Sequence, residues 1–420
     1  MFIKSVKISN FKSFSKLSTE LKQFNVLIGP NAAGKSNFIS FFKFLKDIVT
    51  YGIHDAVKLQ GGMEYLKNIN IKDAKIPLSL EVSMTPSGEF PAAIIGEHGT
   101  IVLEPKEFVY TLEINSDKNR KIQITKDKLL RKYTILKNDI ENEGNLLAEC
   151  GSGSLEISNE NGELNFNLSK ELQAQHIRIE DLFGGINEQT DLKDAAILQT
   201  KFFYYPHKIE LISFLKDLPI YDFEPKLIKS PQISPIEEAL YENGGNLASV
   251  ITRILTDPEI SRSFHNFVHD VLPDIKKIET EKIFLNKYQI FISDEFSDTH
   301  RTPATLVSSG TIFILSLIAS LYFEDSPIAI YEEPERRVHP SLISKITEMM
   351  QDAASQKQII ISTHNPEIVR YADIESLIFI SRDKNGSSQV SHPHKKNEIA
   401  TFLQNDIGIE ELFIQNLLDT

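Results

Sequence analysis

The sequence is poor in features that would mark a secreted, metal-binding or membrane protein. Its 420 residues include a single cysteine, Cys150. One cysteine excludes an internal disulfide and a cysteine-rich metal site, and this usage is typical of a reducing compartment. No apolar run approaches the ~18 residues needed to span a bilayer, and the N-terminus lacks the pattern of a signal peptide. We therefore expect a cytoplasmic protein with no membrane segment.

The composition is that of an ordinary globular protein. Hydrophobic residues make up 41% and charged residues 25%, with 19 glycines and 18 prolines. These values exclude a disordered or fibrous chain, and we find no internal repeat. At roughly 150 residues per domain, the length allows two or three structural units.

The net charge is unevenly distributed. The whole chain carries −13, which argues against coating nucleic acid by bulk attraction. Residues 1–50 nevertheless hold eight lysines against Glu20 and Asp47, a local charge of +6 that leaves −19 for residues 51–420. Seven of these lysines, all except Lys35, form either an ordinary solvated face or a DNA-facing strip, and the acidic remainder suits a basic protein partner equally well.

Hydrophobic periodicity divides the chain into regions of different structure. Phe2, Lys4, Val6 and Ile8 alternate as in a strand. A buried strand is predicted at 24–28, followed by a helix. Residues 76–168 show the pattern of antiparallel strands, with a tight hairpin at Asn161-Gly162. Further along, the patterns predict mainly helix over 192–272, strands at 283–292 and 327–333, and a buried helix at 311–322.

A glycine-bearing loop follows the strand at 24–28. Residues 29–36, GPNAAGKS, match G-x-x-x-x-G-K-[ST] between a predicted strand and a predicted helix, as this phosphate-binding motif requires. Small residues let successive backbone N–H groups surround phosphate oxygens, while the lysine neutralises phosphate charge and the serine hydroxyl ligates Mg²⁺. The predicted nucleotide-binding residues are Asn31, Ala32, Ala33, Gly34, Lys35, Ser36 and Asn37, with Ser36 also a metal ligand.

Two carboxylates follow a second apolar strand. Residues 327–331 lead directly into Glu332 and Glu333, at the strand end where α/β sheets place their chemistry. We expect Glu332 to hold Mg²⁺ through water and Glu333 to orient or deprotonate the attacking water. The alternative is a solvated turn.

A histidine follows a third apolar strand, over 358–363. His364 could hydrogen-bond the γ-phosphate or the attacking water. A lone histidine after a strand is usually structural, but the order phosphate loop, acidic pair, histidine is much more restrictive.

These motifs together resemble the ABC-type ATPase heads of the RecF/SMC superfamily, most closely the compact AAA-type ATPases related to RecF and the OLD nucleases. The resemblance covers residues 1–45 and about 300–385. Its other segments are NFKSF at 10–14, GGNLA at 244–248, VSSGT at 307–311, EEPE with HP at 332–340 and STHNP at 362–366.

The resemblance implies an α/β fold: an ABC-type head with a mixed sheet flanked by helices, an antiparallel β section and a helical insert, without a long coiled coil. We expect the head to be split between residues 1–75 and 285–420, with a β-rich lobe at 76–190 and a helical insert at 191–284.

The resemblance also implies how ATP joins subunits. Ser308 and Gly310 would serve a nucleotide held by another subunit, since the start of the following helix is suited to a γ-phosphate. This predicts a homodimer or higher oligomer held together by ATP. The alternative is that Ser308 only caps the helix.

The roles of three other residues are left open. Gln60 is a candidate Mg²⁺-sensing glutamine. Arg336 and Arg337 stand where relatives often have Asn-Gly, and they could contact a phosphate or a partner or be solvated.

Three functions are compatible with these motifs. The first is an ATP-driven switch in anti-phage defence that controls a separate effector, a nuclease or toxin. The second is a RecF-like DNA-repair ATPase acting directly on DNA. The third, a transporter subunit, is disfavoured by the SSGT signature and the β section. Only 56 residues follow His364, so we expect no nuclease domain in the chain itself.

Overall fold

The structure is a computed structural model, and it describes most of the chain. The described residues are 1–86, 92–96, 99–117, 121–138, 147–160, 162–183, 195–199, 206–230, 232–233, 239–284, 287–296, 301–396, 399 and 408–415. The chain forms two compact units. The first contains Met1–Lys22, Ser36–Asp217 and Ser381–Val390, and the second Gln23–Lys35, Leu218–Ile380 and Ser391–Thr420.

The described residues form strands and helices in the following order along the chain. The strands are β1 (Phe2–Phe11), β2 (Phe14–Glu20), β3 (Phe24–Ile28), β4 (Leu78–Thr85), β5 (Ala92–Gly96), β6 (Gly99–Ser116), β7 (Ile122–Asn138), β8 (Leu147–Glu160), β9 (Glu163–Leu168), β10 (Ile220–Tyr221), β11 (Gln232–Ile233), β12 (Ile275–Phe284), β13 (Lys287–Asp294), β14 (Arg301–Pro303), β15 (Ile328–Glu332), β16 (Gln358–Thr363), β17 (Leu377–Arg382) and β18 (Ser388–Ser391). The α-helices are α1 (Lys35–Tyr51), α2 (Ile53–Leu59), α3 (Met63–Leu66), α4 (Lys170–Ala174), α5 (Ile179–Phe183), α6 (Pro206–Lys216), α7 (Pro225–Lys229), α8 (Leu247–Thr256), α9 (Pro258–Val271), α10 (Ser309–Tyr322), α11 (Ile343–Ala353), α12 (Pro366–Tyr371) and α13 (Ile409–Ile414).

The first unit is built on an antiparallel sheet. Its strands run in the order β2-β1-β4-β6-β7-β8-β9, with β5 paired to β6 and β18 parallel to β2. A bulge between Ile3 and Ser5 changes the alternation predicted for β1. Ile3, Val6 and Ile8 are buried, whereas Phe2 is only partly buried, because the extra residue moves the inward face by one position.

The second unit is built on parallel strands in the order β10-β15-β16-β3-β17. The register pairs Glu332 with Ser362, Thr363 with Ile28, and Ile28 with Phe379. The carboxyl ends of β15, β16, β3 and β17 therefore lie side by side. A second, antiparallel sheet of β11, β13, β12 and β14 belongs to the same unit, and α10 is buried along nearly its whole length.

Most secondary-structure predictions are confirmed. β3 spans the predicted residues 24–28, α1 follows the loop, and the antiparallel strands lie where expected. The strand predicted over 283–292 is wrong at its start, because residues 283–284 end β12 and the next strand begins at Lys287. β8 and β9 form the predicted hairpin, although Asn161 lies outside the described residues.

No coiled coil is present among the described helices, the longest of which, α1, has 17 residues. The proposed domain boundaries at residues 75, 190 and 284 stay a prediction. None of the described helices is long and apolar enough to cross a bilayer.

Candidate nucleotide-binding site

The phosphate loop closes tightly around its first glycine. Gly29 has φ +154°, and a Cβ placed there would lie 2.1 Å from the carbonyl oxygen of Ile380 at the end of β17. No other residue fits this close approach of two backbones. Ala32 has φ +62° and Gly34 φ +123°, so the loop turns through left-handed conformations before the helix begins. Such turns direct successive N–H groups towards one point, as an anion requires.

The Lys35 side chain lies over this loop. It is 8% exposed, and its Nζ donates to the carbonyl oxygens of Gly29 at 2.7 Å and Pro30 at 3.1 Å. Burial lowers the pKa of the Lys35 ammonium, while the carboxylates of Glu333 and Glu335 act in the opposite direction. The ammonium is therefore held between loop carbonyls and two acidic side chains.

β15 delivers its two carboxylates with a strained backbone. Glu332 is the last residue of the strand, and Glu333 follows with φ +46°, an uncommon conformation for a residue with a side chain. The Glu333 N–H donates to the Ser362 carbonyl at 3.0 Å, which ties the turn to β16. Strain of this kind, about 1–3 kcal/mol, persists where surrounding structure enforces it and is common at functional sites.

Glu333 and His364 form a direct pair. His364 Nδ1 donates to Glu333 Oε1 at 3.0 Å, although the residues are 31 positions apart. The parallel register of β15 and β16 places the two turns together. Both side chains remain partly accessible. The sequence predicted each residue at the site but not this contact.

Glu335 is a third carboxylate at the same edge of the sheet. It is 6% exposed, and its Oε1 accepts a hydrogen bond from Thr363 Oγ1 at 2.5 Å. Its Oε2 has no hydrogen-bond partner among the described residues. Burial raises the pKa of the Glu335 carboxyl, against the effect of the Thr363 hydroxyl. Sequence reasoning gave Glu335 no role, although its position two residues after Glu333 was the available signal.

The signature segment begins a helix. Ser308 is the N-cap of α10: its Oγ accepts from the Thr311 N–H at 3.0 Å and lies 2.7 Å from Thr311 Oγ1. A Cβ at Gly310 would lie 3.0 Å from the Arg337 carbonyl oxygen, so this glycine allows a close backbone approach. Ser308 thus caps α10 and is exposed, and its role towards a nucleotide on another subunit stays a prediction.

The two arginines after Glu335, Arg336 and Arg337, make different contacts. Arg336 Nε lies 4.0 Å from Glu333 Oε2, a weak and largely exposed contact. Arg337 is exposed and contributes its backbone next to Gly310.

Asn31 and Ala33 lie in the phosphate loop, in the second unit, whereas the predicted residues Ser36, Asn37 and Gln60 belong to the first unit. Ser36, exposed, directly follows Lys35 in α1, and Asn37 Nδ2 donates to Ser13 Oγ at 2.8 Å. Gln60 accepts from Lys12 Nζ at 2.9 Å and donates to Asp47 Oδ2 at 3.2 Å. Its role as a metal sensor stays a prediction.

The parallel strands, the phosphate loop and the acidic and histidine side chains at the strand ends form a candidate ATPase site. Residues 24–370, more than four fifths of the chain, match the family described as "AAA domain, putative AbiEii toxin, Type IV TA system". The chain belongs to this family.

Two curated proteins are similar over most of this chain. The Old nuclease of Escherichia phage P2 is 23% identical over 402 residues, 91% of this chain and 60% of that protein. Endonuclease GajA of Bacillus cereus (strain VD045) is 22% identical over 393 residues, 90% of this chain and 58% of that protein. The chain thus spans about three fifths of the length of these relatives.

Solved structures of SMC heads are also similar. The SMC head domain from Thermotoga maritima matches with a TM-score of 0.45 at 14% identity, covering 93% of this chain and 99% of that one. The SmcHead bound to the C-winged helix domain of ScpA matches with a TM-score of 0.48 at 12% identity, covering 93% and 98%.

Proposed function

We propose that the protein binds and hydrolyses ATP with Mg²⁺, and that it acts as an ATP-dependent switch that assembles into oligomers and controls a separate effector in anti-phage defence. The observation that carries the hydrolysis is the Glu333–His364 pair, which lies where β15 and β16 end beside the strand that leads into the phosphate loop.

The residues present fit ATP and Mg²⁺. At Gly29 the loop lies so close to Ile380 that no side chain fits between the two backbones. Lys35 provides a buried cation beside the loop. Ser36 offers a hydroxyl and Glu332 a carboxylate, and Mg²⁺ in such sites is commonly held by few protein oxygens together with phosphate oxygens. When bound, the metal would neutralise charge on the phosphates.

Glu333 is suited to orient or deprotonate the attacking water. Its backbone is held by Ser362 and its Oε1 accepts from His364, so one carboxylate oxygen is positioned while Oε2 remains for a second contact. His364 thereby positions Glu333 in addition to any contact with phosphate or water. Lys35 supplies charge for the phosphates.

The test of hydrolysis is Glu333→Gln, which keeps the side-chain shape but removes the base. We expect ATP turnover to fall by about 10²-fold or more, with ATP binding retained. The matched control is Glu348→Gln, an exposed glutamate on α11 of the same unit, which should leave turnover unchanged. Unchanged turnover in Glu333→Gln would remove Glu333 from this role.

Assembly would use the exposed start of α10, with Ser308 and Gly310 facing a nucleotide on another subunit. Ser308→Asp distinguishes this from capping alone, since aspartate caps helices as well as serine but repels a phosphate. We expect Ser308→Asp to keep the thermal stability of the chain and to lose the ATP-dependent oligomer in size-exclusion chromatography of the Glu333→Gln background. An oligomer that persists would leave Ser308 as a cap.

The separate effector is the remaining part of the proposal, and both relatives are named nucleases. Stable co-purification with the product of a neighbouring gene is expected. Direct action on DNA would instead appear as ATP turnover stimulated by duplex DNA and as binding with a steep salt dependence.

A further inference from the structure

The first unit contains a large groove whose lining includes none of the predicted nucleotide-binding residues. It has a volume of about 1420 Å³. One wall comes from α2, α3 and the segment that follows them, and the other from the end of β6 and the beginning of β7. All of these residues belong to the first unit, so the groove lies within one compact unit.

The groove follows a sheet edge. Ile122, Gln123, Ile124 and Thr125 all line it, although successive strand residues point to opposite faces. Contact with four consecutive residues indicates that the groove follows the edge of the strand. β7 pairs with β6 from Ile122 onwards, whereas among the described residues its pairing with β8 begins only at Lys128. Within the described part of the chain, the start of β7 therefore has no strand on the side opposite β6.

The groove is positively charged in an acidic chain. Its lining contains four lysines, at positions 58, 67, 72 and 121, against two acidic residues, Glu64 and Asp117. Lys72 and Lys121 are exposed and form no ion pair within the described part of the chain. The Lys67 ammonium is already hydrogen-bonded within the protein, because its Nζ donates to the carbonyl oxygens of Ala74 and Ile76 and to Asn115 Oδ1. The two exposed lysines are therefore available for an acidic ligand.

One buried donor in the lining is unsatisfied. Asn68 is 2% exposed; its backbone N–H donates to Asn10 Oδ1 and its own Oδ1 accepts from the Asn70 N–H. Its Nδ2 has no hydrogen-bond partner among the described residues. A buried amide N–H without a partner costs about 1–3 kcal/mol, which a ligand carbonyl or carboxylate would offset.

Apolar side chains favour a protein over a nucleic acid as the ligand. Ile69 lines the groove and is 79% exposed, and Leu59 and Tyr65 on the adjoining helices are 60% and 67% exposed. Exposed apolar side chains in and beside a groove favour contact with a protein chain. A phosphate backbone would gain nothing from them.

We propose that this groove binds an extended acidic segment of a partner protein, which adds as a strand to the β7 edge while its carboxylates meet Lys72 and Lys121 and one of its polar groups accepts from Asn68. Strand addition supplies backbone hydrogen bonds, and the alternating side chains supply specificity. The identification of this partner with the effector rests on the proposed function. The binding of an acidic segment does not depend on it.

The test is fluorescence anisotropy of the whole protein, without nucleotide, with a labelled peptide of about ten residues that alternates valine and glutamate. We expect saturable binding that tightens at low salt. The same peptide with lysine in place of glutamate, and an N-methylated form that cannot pair as a strand, should not bind. Absence of binding by the acidic peptide, or equal binding of the N-methylated form, would overturn the proposal.

Variants locate the site. Lys72→Glu with Lys121→Glu should weaken the peptide by more than about tenfold, and Asn68→Asp, which keeps the Oδ1 acceptor, should weaken it also. Lys137→Glu, an exposed lysine at the far end of β7, is the matched control and should bind normally. Thermal unfolding confirms that each variant is folded.

Two further measurements keep the outcomes separate. ATP turnover should be unchanged in all groove variants, so failure of peptide binding and failure of the proposed ATPase can be distinguished. A labelled DNA duplex is the competing probe. If the duplex binds instead of the peptide and the lysine variants abolish that binding, the groove is a nucleic-acid site and the proposal is wrong.

Discussion

The two units place their polar groups differently. In the second unit β3 and β16 are buried at every residue, and the carboxylates and the histidine of the candidate site lie at or just after the ends of strands. In the first unit β1 and β2 alternate between buried and exposed residues, and the buried carboxylate of Asp127 lies within β7. Parallel strands covered on both faces are mainly apolar, whereas antiparallel strands can face water on one side.

This difference indicates where the functional residues of each unit lie. Polar residues at the ends of the parallel strands converge by register, and they form the candidate nucleotide site. Polar residues inside the antiparallel sheet mainly hold other segments in place: Asp127 Oδ2 accepts from the Ile197 N–H and Oδ1 accepts from the Tyr110 hydroxyl. The following substitutions test that contrast.

The largest effect is expected for Gly29→Ala, set against Gly151→Ala in β8. Both glycines have almost the same φ, +154° and +151°, but a Cβ at Gly29 meets the Ile380 carbonyl while nothing lies within 4 Å of one at Gly151. We expect Gly29→Ala to lower the free energy of unfolding by about 3–5 kcal/mol and to abolish ATP binding. Gly151→Ala should cost about 1–2 kcal/mol. Equal losses in urea denaturation would contradict the close approach at Gly29.

The next effect is a pH dependence in the first unit. Burial raises the pKa of Asp127 to about 6 from an ordinary 3.8. Because the folded state holds the proton more tightly, the stability linked to this group is present below about pH 4 and is lost as pH rises through 6. The loss corresponds to about 3 kcal/mol.

Asp127→Asn removes this titration while keeping an acceptor for Ile197. The difference in free energy of unfolding between the variant and the parent protein should therefore shift by about 3 kcal/mol in favour of the variant between pH 4 and pH 7. Denaturation at several pH values measures it. A difference that does not change with pH would show that Asp127 titrates normally.

A smaller effect is expected for Thr363→Val at the end of β16. This change removes the hydroxyl that donates to the buried Glu335 side chain and accepts from the Asn365 N–H, and it should cost about 2 kcal/mol. The control is Thr347→Val on α11, where the buried hydroxyl donates only to the Ile343 carbonyl of its own helix. We expect less than about 1 kcal/mol there. Equal costs would mean that Glu335 does not depend on Thr363.

Local patterns predicted much of the fold. β3, the phosphate loop and α1 follow one another within about thirty residues, so their apolar runs and glycines were sufficient. The bulge in β1 was not predictable, because it depends on the register with β4 rather than on the β1 sequence. The division between β12 and β13 was missed because the apolar pattern runs through both strands.

The sequence by itself determined the phosphate loop, the acidic end of β15 and the histidine after β16, because each is a contiguous motif with a local physical purpose. Only the tertiary structure decided that His364 donates to Glu333, that Thr363 donates to Glu335, and that α2 and α3 form a groove with the edge of β7. These contacts join residues 28 or more positions apart, and strand pairing, which no local pattern encodes, brings them together.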